Sequence, residues 1–126
     1  MRKEDLNQEG LRIRQEVLGE EYVDAAVGRA GEYDEELQKF VTDFCWRAVW
    51  GRPGLTRRER SLINLGMIAV MGREAELRAH TKGALNNGCT KEEIREIMLQ
   101  VAAYAGFPAA LEGFRITKEV IEAHEA

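Results

Sequence analysis

His80 is one of two histidines in the chain, four residues after Glu76 and seven after Arg73. An imidazole titrates near neutrality and serves as either acid or base. Spacings of three and four put Arg73, Glu76 and His80 on one stripe of a helix. There Glu76 can orient the imidazole and favour its protonated form. The same pattern also suits a surface histidine among ordinary helix ion pairs. A second group is Arg52, Arg57, Arg58 and Arg60, which bracket Pro53-Gly54-Leu55-Thr56. Guanidinium groups beside a loop and a helix start suit a small carboxylate or phosphate. Some of the four are expected to be solvated or paired with acids. Trp46 and Trp50 form a third group, and His124, in the tail, is expected to be idle.

The elements that must hold these residues read as helices throughout. Leu6, Leu11, Ile13, Val17 and Leu18 recur at helical spacing before Gly19, and a short helix follows over Glu21–Arg29. A third helix is predicted from Asp34 to Trp50, broken by Gly51-Arg52-Pro53-Gly54. Val41, Phe44, Cys45, Ala48 and Val49 form its apolar stripe at 100° per residue, which leaves Trp46 and Trp50 on the far side. They then meet another subunit, line a pocket, or sit inside a helix buried on all sides. Thr56 with Glu59, and Thr90 with Glu93, are capping boxes that open two further helices. Between them a helix runs over about Glu74–Leu85 and ends at Asn86-Asn87-Gly88. Pro108 suits the first turn of a last helix reaching about Ala123. No alternating run of strand length appears, so the expected class is all-α, a single domain over 1–126 with about six to seven helices.

Composition narrows the function. Charged residues make up 32% and hydrophobic residues 44% of the 126, a globular balance. Eighteen Lys+Arg against 22 Asp+Glu leave a net charge of -4, which argues against nucleic acid as a partner. No signal-like or membrane-spanning run is read, and the two cysteines, Cys45 and Cys89, suggest no disulfide framework. A cytoplasmic location is therefore expected, with no membrane partner. Cys45 reads as an inert core thiol, while Cys89, in the Gly88-Cys89-Thr90 turn, reads as able to react. There is no CxxC, no HxxxH and no carboxylate–histidine cluster with zinc or iron spacing, so no metal site is expected.

The segments Trp46-Arg47-Ala48-Val49-Trp50-Gly51-Arg52-Pro53-Gly54-Leu55, Arg60-Ser61-Leu62-Ile63 and Glu76-Leu77-Arg78-Ala79-His80 resemble the carboxymuconolactone decarboxylase family. So do Ala84-Leu85-Asn86-Asn87-Gly88, Thr90-Lys91-Glu92-Glu93-Ile94 and Tyr104-Ala105-Gly106-Phe107-Pro108-Ala109-Ala110. The likeness covers nearly the whole chain. It implies an alkylhydroperoxidase D-like helical fold working as a homo-oligomer, a hexamer or a trimer-based ring. The same superfamily holds disulfide reductases with a Cys-x-x-Cys-x-x-x-His helix. Here the cysteine positions are Arg73 and Glu76, with His80 retained, so an antioxidant activity is the lesser alternative. A non-catalytic helical assembly is the other.

The activity implied is decarboxylation of γ-carboxymuconolactone to the β-ketoadipate enol-lactone in aromatic catabolism. Loss of CO2 from the γ carbon leaves a carbanion conjugated through the ring alkene to the lactone carbonyl. That delocalisation is its own electron sink, so no cofactor is expected. In this scheme His80 donates the proton, Glu76 holds it, and Arg73 or Asn87 stabilises the enolate oxygen. Arg52, Arg57 or Arg60 clamps the surviving carboxylate, and Trp46 and Trp50 wall the site.

Overall fold

The computed structural model describes residues 1–126. All regular structure is helical. The chain groups into two compact units, Met1–Leu55 and Thr56–Ala126.

In the first unit, α1 (Gln8–Leu18) and α2 (Glu20–Arg29) follow a short turn at Lys3–Asp5. Asn7 caps α1, its side-chain oxygen accepting from the Gly10 amide at 2.8 Å. Leu11, Ile13, Val17 and Leu18 are buried on α1, and Val23 and Val27 on α2. Arg14 is buried beside them. Its Nη1 donates to Gln38 Oε1 at 2.8 Å, and burial pulls its pKa down.

The predicted third helix exists but is two kinds of helix. α3 covers Glu35–Phe40, and Val41–Val49 continues it as a π-helix. The bond from the Trp50 amide to the Cys45 carbonyl at 2.9 Å shows the i→i+5 pattern. An i→i+5 bond closes a wider turn than i→i+4, so residues four apart come nearer to eclipse. Thr42, Trp46 and Trp50 are therefore the buried series. The expected apolar stripe is overturned with it: Phe44 is 69% exposed and Val41 and Cys45 are only half-buried, while Trp46 is 3% exposed. The tryptophan rings stack with centroids 4.9 Å apart and planes at 26°. Both rings are buried within this chain, but the helix is not buried on all sides, since Asp43, Phe44, Arg47 and Ala48 are exposed. The helix packs against α1, where Gly10 permits the approach: a Cβ there would overlap the Thr42 carbonyl oxygen.

The second unit is four helices: α4 (Arg57–Met71), α5 (Glu74–Asn86), α6 (Lys91–Ala105) and α7 (Phe107–Glu125). Both capping boxes form, with Thr56 and Thr90 each accepting from the amide three residues on at 3.1 Å. Each cap is worth about 1 kcal/mol. Gly72 turns α4 back on α5 in the left-handed region at φ 69°, a conformation that costs a side chain little only when it is hydrogen. Pro108 lies in the first turn of α7 as predicted. Leu65, Leu77, Ile94, Met98 and Ile116 form the centre of one core drawn from all four helices. No helix is long and apolar enough to cross a membrane.

Candidate functional site

The predicted residues divide between the units. Trp46, Trp50 and Arg52 belong to the first, Arg57, Arg60, Arg73, Glu76, His80 and Asn87 to the second. Arg52 is exposed just after the π-helix. In the second unit α4 and α5 run antiparallel, because the Asn87 amide at the end of α5 reaches the first turns of α4. Its Nδ2 donates to Ser61 Oγ at 2.8 Å and to the Arg57 carbonyl at 3.4 Å.

That geometry bears on one expectation. An Asn amide nitrogen carries two hydrogens. Both are directed into α4, so a donor role for Asn87 toward an enolate oxygen would have to give up one of these bonds. The sequence alone could not show this, because Ser61 lies 26 residues away. Ser61 itself was missed as anything but part of a motif, yet it is a fully buried hydroxyl at the acceptor end of this bond.

Three of the four clustered arginines, Arg57, Arg58 and Arg60, lie on the first turn of α4, and Arg52 does not. Arg58 pairs with Glu93 of α6. Glu93 thereby joins two helix starts, since its other oxygen accepts from the Thr90 amide at 2.9 Å. Arg57 and Arg60, three apart and half-buried, share a face that Arg58 does not.

His80 is half-buried, in the second turn of α5. Seven residues separate it from Asn87, roughly 10 Å along the helix axis. Glu76 is exposed one turn before it. Arg73 departs from the expected stripe, because it occupies the N-cap position with extended backbone (φ -97°, ψ 91°). On the α5–α7 surface Arg78 pairs with Glu74 and Glu119, and Arg115 with Glu74, Glu112 and Glu119. These pairs hold Glu112 and Glu119 below the usual carboxylate range.

Neither thiol is poised for chemistry. Cys89, read as able to react but without a resolving partner, is 5% exposed, and its Sγ lies 3.6 Å from the Arg58 carbonyl it donates to. Burial pushes both Cys89 and Cys45 upward in pKa, against the opposing pull of a nearby arginine. No group of three His, Cys, Asp or Glu side chains is arranged to hold a metal ion.

Comparison with known proteins adds the chemistry. Residues 35–119 match the model of the carboxymuconolactone decarboxylase family. A 4-carboxymuconolactone decarboxylase of Acinetobacter baylyi is 38% identical over 122 residues, 97% of this chain and 91% of that one. The nitrosuccinic acid decarboxylase npaB of Metarhizium robertsii is 43% identical over 113 residues, 90% of this chain and 79% of that one.

Proposed function

The chain belongs to the carboxymuconolactone decarboxylase family and is a decarboxylase, and from that premise we propose that it converts γ-carboxymuconolactone to the β-ketoadipate enol-lactone without a cofactor. The 38% identity that runs across 97% of the chain carries this reading. The carbon–carbon bond to the γ-carboxylate breaks, CO2 leaves, and the electron pair enters the ring as a dienolate. One proton delivered to the α carbon completes the reaction. His80 is the proposed donor, oriented by Glu76, with Arg73 facing the enolate oxygen. Arg57 and Arg60 bind the carboxylate that stays behind, by the fork geometry that suits guanidinium to carboxylate. We further propose that the protein works as a homo-oligomer in the cytoplasm.

A second substrate is favoured by a specific observation, the 43% identity to the nitrosuccinic acid decarboxylase. The two acids share a design. In each, one carbon carries the departing carboxylate, a carboxymethyl arm and an acceptor for the electron pair, a vinylogous lactone in one and a nitro group in the other. A family site thus needs a cationic clamp for the arm and a proton for the carbanion, whichever acceptor is present.

The test is direct assay of both acids with purified, metal-chelated protein. Lactone turnover well above nitrosuccinate turnover is expected. His80→Gln should lower kcat by about 10²–10⁴, and Glu76→Gln by less. Preference for nitrosuccinate would transfer the assignment to that acid. A His80→Gln enzyme within about threefold of wild type would remove His80 from the mechanism.

A further inference from the structure

We propose that Asn87 and Ser61 are positioning residues that pin the first turns of α4 and so hold Arg57 and Arg60 in the geometry that binds the surviving carboxylate. This rests on the reading of those arginines as the carboxylate clamp. The residues from Asn87 to Glu93 send three separate ties onto the start of α4. Asn87 Nδ2 donates to Ser61 Oγ and the Arg57 carbonyl, Cys89 Sγ donates to the Arg58 carbonyl, and Glu93 pairs with the Arg58 side chain.

The carbonyls used are well chosen. Inside a helix each accepts one amide four residues on, which leaves a second lone pair. Asn87 and Cys89 occupy that second position, so the tie adds to the helical bonds of α4 without competing with them. First turns open more readily than helix interiors. A fixed first turn lowers the ordering cost of Arg57 and Arg60 when substrate arrives, and preorganisation of this kind appears as affinity.

The amide is chemically required at position 87. A carboxylate there has no hydrogen for the Arg57 carbonyl and repels it. Asn87→Asp should therefore be worse than Asn87→Ala, although it is closer in shape.

The experiment is a kinetic comparison of Asn87→Ala, Asn87→Asp, Ser61→Ala and the Ser61→Ala/Asn87→Ala pair, with amide hydrogen exchange on residues 57–61. Asn87→Ala should raise KM about threefold to tenfold with kcat within about twofold, the size of one lost neutral hydrogen bond. Ser61→Ala should add little on the Asn87→Ala background, because both remove the same tie. Exchange on the first turn of α4 should quicken in parallel. Thr117→Val is the control for plain loss of stability. Its buried hydroxyl bonds only carbonyls of its own helix, those of Gly113 and Phe114, so KM should not move. A fall in kcat at unchanged KM would place Asn87 at the reacting atoms and overturn the proposal. Faster exchange with unchanged KM would reduce the tie to fold support and overturn it too. If the wild type turns over neither acid, the functional reading fails on its own, and unchanged exchange in Asn87→Ala would still overturn the tie.

Discussion

Gly10→Ala tests whether the π-helix is held against α1 as described. Two opposing effects set the outcome. Alanine is the better helix former by about 1 kcal/mol, and less in the first turn, where Gly10 lies. Against this, the added Cβ would overlap the Thr42 carbonyl oxygen and stand 3.0 Å from Thr42 Cγ2 and 3.2 Å from Arg47 Cβ. A backbone oxygen cannot rotate aside as a side-chain end can, so the cost falls toward the upper part of the 1–3 kcal/mol typical of overpacking. The net expectation is a loss of about 2 kcal/mol, a fall of roughly 8 °C in Tm for a chain of this size. Gly66→Ala in the middle of α4 should show the opposite sign. There the new Cβ meets only Ile97 Cγ2 at an ordinary 3.6 Å, so the propensity gain of about 1 kcal/mol survives. Thermal unfolding of both variants beside wild type decides the matter. A Gly10→Ala protein as stable as wild type would refute the close approach of α1 and the π-helix.

Acidification should destabilise the protein in a defined window. Thr56 holds the Glu59 carboxylate below its ordinary 4.5 through its backbone and side-chain hydrogen bonds, and Arg115 and Arg78 do the same for Glu112 and Glu119. Groups depressed by folding contribute stability that is complete above the unfolded value and is lost as pH falls through the folded one. Tm should thus decline as pH falls below the ordinary glutamate value through the depressed folded ones, and Glu59→Gln should flatten part of that decline; an identical slope in the variant would contradict it. Assembly is checked by light scattering. Leu37, Phe40 and Phe44 are each at least 60% exposed in the isolated chain, so a mass above the monomer is expected, and a monomer at micromolar concentration would refute the homo-oligomer.

The helix ends were legible because their signals are local. Thr56–Glu59 and Thr90–Glu93 are side chain and backbone within one turn, so spacing alone specifies them. The face of the third helix was not legible, because its reading assumed 100° per residue and the backbone adopts a wider turn from Val41. The surroundings of Cys89 and Asn87 were not legible for a different reason. Their partners, the Arg58 carbonyl and Ser61 Oγ, come from 31 and 26 residues away, and one of those partners is backbone, which has no sequence signature. His80 and the α4 arginines could be picked out by type because few residues offer their chemistry, but their roles depend on substrate geometry that spacing does not encode.

The wide turn at Val41–Val49 makes this stretch sensitive to residue count more than to residue identity. The stack of Trp46 on Trp50 exists because four residues bring the chain nearly full circle there. Deleting any one residue between the two rings brings them to a three-residue separation and lets the backbone relax to i→i+4 bonding. At about 100° per residue the rings would then be offset by about 60° around the axis and one residue closer along it, so the present stack could not be kept. A conservative exchange at exposed Arg47 or Ala48 leaves that phase intact, whereas a deletion at either position destroys it. For anyone aligning or recombining this chain with its relatives, a gap placed in this segment is a structural event, and the same gap after Gly51, where no helix is running, is not.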